Sequence, residues 1–362
     1  MGQGLGTRAG ALAAALAAAL SAAPAFSQPA PDPCRSTSAL TRAEDIAREL
    51  DRHSSAIAAG NAGARAYLDR SACQARLGYL GEALEDINAA LRIDPANAVA
   101  WHARAELSAR SGRHRDAVAD FAEALSRDPG NIGARQGRGA SLALLGEADR
   151  AIEDFDAVLK LDPRYAPAHL GRGEAHARAG RHERALEDYA RYIAAAPDDA
   201  YARFRHGVSL ARLNQQEKSI AELGEAIRLD PRLLSAYLER GRALARAGQP
   251  ERALLDFSEA VSLAPRFAAA HNELAWLLAT HPDNGIRNGR RAVEHARTAA
   301  ELANWTNAAF LDTYAAALAE AGDFSEAVKW QHQAVQAFMG PARAQAEGRL
   351  QLYHEGRPFR SP

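Results

Sequence analysis

The chain has few cysteines, few aromatic residues and almost no net charge. Only two of its 362 residues are cysteine, and 6% are aromatic. Its 44 basic and 45 acidic side chains nearly cancel, which argues against a general electrostatic attraction to nucleic acid. Beyond the N-terminal stretch there is no apolar run long enough to cross a bilayer. The chain is instead 47% hydrophobic, largely through alanine, and this composition suits closely packed helices rather than one bulky core.

No arrangement of polar residues predicts catalysis. The 12 histidines are scattered, and none forms a metal-binding pair at helical spacing beside a recurring acid. No strand is predicted, so no glycine-rich loop follows one in the way that phosphate-binding loops do. The sequence therefore predicts a protein that is not an enzyme and that holds no cofactor or metal.

A period of 34 residues organises most of the chain. Prolines recur at this spacing without interruption. A fixed period of this length predicts one supersecondary unit that is repeated along the chain. The prolines are Pro95, Pro129, Pro163, Pro197, Pro231 and Pro265.

The same residue types recur at fixed positions of each copy, counted from the third residue after each proline. Position 8 is small, which allows two helices to cross closely, and position 24 is mostly large and apolar. Position 15 is glycine or, once, asparagine, the residues that best tolerate a left-handed helix end. Asn97, Asn131 and Asp199 stand where the next helix begins and are predicted to cap it. Position 15 holds Gly78, Gly112, Gly146, Gly180, Asn214, Gly248 and Gly322.

This helix–turn–helix pattern resembles the tetratricopeptide repeat. The clearest copy, residues 97–128, has the family's tryptophan, small, glycine, alanine, aromatic and alanine positions, followed by the proline. They are Trp101, Ala105, Gly112, Ala117, Phe121, Ala124 and Pro129. The resemblance implies an all-α fold, a right-handed α-solenoid of about eight repeats over residues 64–340. The seventh repeat carries a turn insertion near residues 281–288.

Paired charges predict how the two helices of a repeat are held together. Position 7 is Arg and position 23 is Asp in five of six repeats, and in the fifth repeat His206 and Glu222 replace them together. An Arg–carboxylate fork between the two helices explains this covariation. The alternative is a ladder of ion-binding sites.

The N-terminus is predicted to be an export signal. Arg8 precedes an alanine- and leucine-rich stretch and then small residues, so residues 1–27 read as a signal peptide cleaved after Ala25 or Ser27. The alternative, a membrane anchor, requires a longer run, and Pro24 interrupts this one. We therefore expect an exported bacterial protein, periplasmic or secreted, that does not span the membrane after cleavage.

Residues 28–63 are predicted to form a proline-rich leader and an N-terminal capping helix, with the helix over residues 38–57. In an oxidising compartment an even cysteine count favours a bridge, so we expect Cys34 and Cys73 to pair. Such a bridge closes about 40 residues and contributes roughly 3–4 kcal/mol in the entropic model. The alternative is two unrelated buried thiols.

Residues 341–362 are predicted to form a C-terminal capping helix and a tail. Leu350, Leu352 and Tyr353 are available to cover the last repeat, and the residues after them read as a polar, frayed end.

The resemblance implies that the first helix of each repeat lines a concave groove, chiefly through positions 2, 5, 9, 12 and 13. Such a groove binds an extended peptide or a helix. Arginines at position 13 predict a positive rail for carboxylates; the alternative is solvated helix ends, where cations are favoured anyway. The aromatic groove residues serve either binding or packing between repeats. The candidate groove residues are Arg76, Arg110, Arg178, Arg212, Arg246, His102, Glu106, Gln136, Glu174, Phe204, Arg242 and Trp276.

The sequence therefore predicts a scaffold that binds a protein or peptide in the cell envelope, and not a nucleic acid. Two alternatives stay open. One is a structural subunit that assembles with copies of itself, and the other is an accessory module that binds an envelope polysaccharide.

Overall fold

A computed structural model describes residues 43–60 and 62–361 of the chain. The predicted signal peptide, the leader up to residue 42 and Cys34 lie outside these residues. Within them every regular element is an α-helix, as predicted. The helices are α1 Ala43–Ala58, α2 Ala64–Leu77, α3 Leu80–Ile93, α4 Ala98–Arg110, α5 His114–Arg127, α6 Ile132–Leu144, α7 Ala148–Leu161, α8 Ala166–Arg178, α9 His182–Ala195, α10 Ala200–Arg212, α11 Gln216–Leu229, α12 Leu234–Arg246, α13 Pro250–Leu263, α14 Ala268–Thr280, α15 Gly289–Leu302, α16 Ala308–Glu320, α17 Phe324–Ala337 and α18 Pro341–His354.

Consecutive helices pack as eight antiparallel hairpins. Repeats 1 to 8 are the pairs α2–α3, α4–α5, α6–α7, α8–α9, α10–α11, α12–α13, α14–α15 and α16–α17. The chain divides into two compact units, Met1–Ala195 and Ala196–Pro362, so that repeats 1–4 belong to the first unit and repeats 5–8 to the second.

The predicted turns and caps are confirmed. All the position-15 residues have positive φ, including Asn214 at 57°, the one position where glycine is replaced. The side chains of Asn97, Asn131 and Asp199 accept hydrogen bonds from backbone N–H groups three residues later, at 3.1, 2.9 and 3.0 Å. The first helices of repeats 2, 3 and 5 therefore begin at a side-chain cap and end at a turn residue with positive φ.

The glycine at position 8 and the large residue at position 24 fit together in the hairpins of repeats 3 to 6. A Cβ at Gly241 would lie 2.5 Å from Cε1 of Phe257, and one at Gly173 would lie 2.9 Å from Cε1 of Tyr189. The large side chain thus fills the space that the missing side chain leaves. Phe257 and Tyr189 are buried as a result.

The predicted forks between helices are confirmed in five repeats. In each fork, Nε and Nη2 of the arginine donate to the two carboxylate oxygens of an aspartate over 2.6–2.9 Å. These hydrogen bonds raise the pKa of each arginine above its ordinary value. The forks are Arg70–Asp86, Arg104–Asp120, Arg138–Asp154, Arg172–Asp188 and Arg240–Asp256.

Two of the forks also reach the preceding repeat, a contact that the sequence pattern did not predict. Nη1 of Arg104 donates to Asn88 at 2.9 Å, and Nη1 of Arg172 donates to Asp156 at 2.5 Å. In repeat 5, the weaker pair His206–Glu222 replaces the fork, with 3.6 Å between Nδ1 and Oε2.

Helices outside the repeats pack on both terminal hairpins. α1 packs on α2, where Ile46 and Cys73 share an apolar cluster. α18 packs on α17 and buries Tyr353 in the large core cluster of repeats 6–8. Between α14 and α15, residues 281–288 form the longer turn of the seventh repeat, and the N–H of Asn288 at its end donates to the carbonyl of Leu278 at 2.9 Å.

Candidate binding surface of the first helices

The position-13 arginines end the first helices of their repeats. Arg76, Arg110, Arg212 and Arg246 are exposed there, on the last turns of α2, α4, α10 and α12. A cation at this end of a helix is favoured by the helix dipole, and the planar guanidinium group is suited to binding carboxylates.

Arg178 differs from the other four. It is half-buried, and its Nη1 donates to the carbonyl of Ala143, in repeat 3, at 2.6 Å. Its Nη2 lies 3.9 Å from Oε2 of Glu174, which is buried. Arg178 therefore connects repeats 3 and 4 by a hydrogen bond, and Glu174 is buried beside it. Neither side chain faces solvent as the other four arginines do.

The candidate residues of repeats 2 and 3 are also partly engaged. His102 lies 3.3 Å from Glu106 on the same helix, and its ring contacts that of Phe121 at 5.7 Å. Nε2 of Gln136 donates to the carbonyl of Pro167 in repeat 4 at 3.3 Å. Glu106 is the most exposed of these side chains.

In the second unit, Phe204 and Arg242 make contacts between repeats. Phe204 is half-buried against the apolar cluster that repeats 5 and 6 share, so it contributes to packing. Arg242 donates to Glu273 of repeat 7 at 2.7 Å and to Glu239 at 2.6 Å. Burial lowers the pKa of Arg242, but these two carboxylates outweigh burial and raise it.

Trp276, at position 9 of repeat 7, is covered by the end of the chain. Its ring lies 5.9 Å from that of Phe359, and the guanidinium of Arg349 lies 5.6 Å from its centre. The prediction of a frayed end is therefore wrong. The reason is that Phe359 supplies an apolar side chain that reaches the core cluster, a contact between residues too distant in sequence for the repeat pattern to indicate.

Cys73 is fully buried and disulfide-bonded. Cys34 lies outside the described residues, so its pairing with Cys73 stays a prediction.

One charged cleft lies away from the first-helix positions named above and was not predicted. Its volume is about 320 Å³, and it lies among α7, α8 and α9. Its walls include Arg172, which the carboxylates of Asp188 and Asp156 already bind, and His176, whose pKa is lowered by burial. The cleft therefore lies beside the Arg172–Asp188 fork that joins α8 and α9. Among residues 43–60 and 62–361 no group of His, Cys, Asp or Glu side chains is arranged to hold a metal.

The repeat pattern identifies the family. The tetratricopeptide repeat model matches residues 74–132, 102–166, 138–200, 170–233, 204–266 and 238–285, which together cover more than half of the chain. The chain belongs to the tetratricopeptide repeat family. Repeats of this family are protein-interaction modules, so membership supports a role as a protein-interaction scaffold.

Two solved structures are similar to the chain. A tetratricopeptide repeat protein from Parabacteroides merdae is 21% identical, with a TM-score of 0.50, over 64% of this chain and 91% of its own length. MamA from Desulfovibrio magneticus, residue 41 to the end, is 26% identical with a TM-score of 0.45, over 46% of this chain and 95% of that one. No curated protein sequence matches the chain. In the described part of the chain, no helix is both long and apolar enough to span a membrane.

Proposed function

We propose that the chain is an exported scaffold of the bacterial cell envelope, in which each unit binds an acidic peptide or helix of a partner protein along the first helices of its own repeats. The observation that carries the proposal is the exposure of Arg76, Arg110, Arg212 and Arg246 at the same position of four repeats. Arginine at a recurring exposed position suits carboxylates, because its planar group binds them through two hydrogen bonds. The export signal read from residues 1–27 supports the location.

Charge reversal at these positions tests the binding surface. Within the first unit, Arg76→Glu with Arg110→Glu places acids where the partner's carboxylates would bind. The matched control is Arg92→Glu with Arg115→Glu, which changes the net charge equally at exposed positions of the second helices α3 and α5. Arg178 is unsuitable for this test, because its replacement would also remove the hydrogen bond to Ala143.

The readout is crosslinking in intact cells followed by purification from envelope extracts and mass spectrometry. We expect proteins that crosslink to the unaltered chain and to the control variant, but not to the Arg76→Glu/Arg110→Glu variant. Equal capture by both variants contradicts the proposed surface. Cell fractionation and the mass of the mature chain test export, and an intact N-terminus on a cytoplasmic protein contradicts it.

A further inference from the structure

The last residues of the chain return to the first helices of repeats 7 and 8. After α18, Gly356 turns the chain with a φ of 69°, and the N–H of Arg357 donates to the carbonyl of Leu352 at 2.9 Å. Residues 357–361, the C-terminal tail, have no regular secondary structure, yet residues 358–361 are all half-buried. The tail therefore lies against the protein without forming part of a helix.

An aromatic side chain and an arginine hold the tail. Phe359 lies against Trp276, and the guanidinium of Arg349 lies 5.4 Å from the centre of the Phe359 ring. Next to it, Nη1 of Arg360 lies 2.7 Å from Oε2 of Glu320. The Glu320 side chain is only 12% exposed, and its other oxygen accepts from Nε of Arg287 at 2.9 Å.

The backbone of the tail is bound as well. The N–H of Ser361 donates to the carbonyl of Thr280 at 2.8 Å, and the hydroxyls of the same two residues lie 2.7 Å apart. Thr280 is the last residue of α14, so its carbonyl is one of those that an α-helix leaves without an internal partner. This hydrogen bond joins two backbone groups, so an extended peptide can make it in place of the tail whatever its side chains.

The residues that receive the tail occupy groove positions of their repeats. Trp276 and Thr280 stand at positions 9 and 13 of repeat 7, and Glu320 stands at position 13 of repeat 8. In the other repeats position 13 is usually arginine, whereas here it is a hydroxyl and a half-buried carboxylate. This part of the surface therefore favours an aromatic and basic ligand, the opposite of the charge that repeats 1, 2, 5 and 6 favour.

We propose that these residues of repeats 7 and 8 form a binding site for an extended peptide in which an aromatic residue is followed directly by arginine. The tail is the intramolecular occupant of this site, and a partner's peptide displaces it. The proposal rests on the proposed function, since it assigns a ligand to one part of the surface that the first helices of the repeats form. A tail tethered by so few residues competes at an effective concentration on the order of millimolar, so a free peptide binds weakly until the tail is released.

The test uses a fluorescent synthetic peptide with the sequence of residues 356–362, Gly-Arg-Pro-Phe-Arg-Ser-Pro. Its binding is measured by anisotropy to the full chain and to the full chain carrying Phe359→Ala and Arg360→Ala. We expect the double variant to bind the peptide at least about tenfold more tightly than the unaltered chain. The control variant, Arg357→Ala, should bind like the unaltered chain, because Arg357 is exposed and pairs only locally, with Glu355 at 2.9 Å.

Two further changes test the contacts. A peptide with Phe replaced by Ala should not bind, and adding Trp276→Ala to the double variant should abolish binding. Failure of the folded double variant to bind the peptide overturns the proposal, as does equal affinity for the unaltered chain and the double variant. The proposal would also be overturned if the unaltered chain formed dimers at high concentration and the double variant did not. The tail would then bind to a second copy of the chain.

Hydrogen exchange in the unaltered chain keeps the proposal testable if the double variant does not fold. The N–H of Ser361 should exchange much faster than the interior amides of α16, since tail release does not require unfolding. If the Ser361 amide and the α16 amides exchanged at the same rate, that of global unfolding, the tail would be a permanent part of the fold. That result would overturn the proposal. These assays use the purified chain alone, so their failure leaves the crosslinking test of Arg76 and Arg110 unaffected.

Discussion

The ring of Phe155 occupies the space in which a side chain at Gly171 would lie. A Cβ on Gly171 would stand 2.6 Å from Cζ of Phe155. Phe155 belongs to repeat 3 and Gly171 to repeat 4, and a Cβ at Gly139, within repeat 3, would lie 3.0 Å from the same ring. One aromatic side chain therefore fills both the interior of its own hairpin and the junction with the next one.

Gly171→Ala should destabilise the protein, although alanine is the better helix former. We expect a loss of about 1–3 kcal/mol in the free energy of unfolding, because the added methyl group forces the buried ring or the backbone to move. Chemical denaturation followed by circular dichroism measures the change. The control is Gly348→Ala in α18, where a Cβ meets no atom within 4 Å, and which should stabilise by about 0.5–1 kcal/mol. A neutral or stabilising effect of Gly171→Ala would contradict the packing.

The Arg138–Asp154 fork should be costly to break from one side only. Arg138→Met leaves the carboxylate of Asp154 buried without its guanidinium, and we expect a loss of about 3 kcal/mol. Arg138→Met with Asp154→Leu should recover much of this loss, since no charge is then left buried. As a control, Arg150→Met removes an exposed pair with Glu147 and should cost less than about 1 kcal/mol. Equal effects of Arg138→Met and Arg150→Met in urea denaturation would argue against a structural role of the fork.

A bridge between Cys34 and Cys73 should be visible in the mass of the protein purified without reducing agent. Intact mass should rise by two hydrogens on reduction, and peptide mapping should join the two cysteines. Cys73→Ser should cost roughly 3–4 kcal/mol under oxidising conditions, where the bridge limits the unfolded chain. Under reducing conditions the unaltered chain and Cys34→Ser should have similar stability. Free thiols on both cysteines of the protein purified from the envelope would rule the bridge out.

The paired histidines of repeat 7 predict a loss of stability in mild acid. Nδ1 of His271 lies 3.0 Å from Nδ1 of His295, and Nε2 of His271 donates to the carbonyl of Pro265 at 3.0 Å when neutral. Burial first, and then the positive charges of His271 and Arg291, lower the pKa of His295, while Glu294 opposes them. The unfolded chain therefore binds a proton on His295 at a higher pH than the folded chain does.

Stability from this group is complete above the unfolded value of about 6.5 and falls as the pH drops below it. Thermal unfolding between pH 7.5 and 5.5 measures the slope. His295→Gln should make the slope smaller, whereas the exposed His332→Gln should leave it unchanged. Identical slopes for His295→Gln and the unaltered chain would refute the prediction.

The periodic features of the fold were predictable because each depends on one or two residues close together in sequence. Gly180 at a turn, Asn97 at a cap and Arg138 with Asp154 each recur at one position, so the pattern reveals their role. The contact between repeats made by Arg178 was not predictable, because the same residue type at the same position is exposed in four other repeats.

The site on repeats 7 and 8 was missed for a related reason. Thr280 and Ser361 are 81 residues apart, and no repeat places them together. Trp276 could be named as a groove residue from its position, but whether a side chain covers it depends on where the chain end packs. That packing depends on contacts such as those of Phe359 with Trp276 and Arg360 with Glu320, which have no periodic counterpart.

The forks also affect the order in which the parts of the protein fold. Each fork joins residues only 16 apart in sequence, so the two helices of a hairpin gain their main polar contact as soon as that hairpin has been synthesised. Contacts of such short range favour rapid folding, one hairpin after another from the N-terminus. The contact of Ser361 with Thr280 is the exception, because it closes only after repeats 7 and 8 are complete. In every newly made molecule the surface of repeats 7 and 8 around Trp276, Thr280 and Glu320 is therefore open until residues 359–361 have been synthesised and have packed against it.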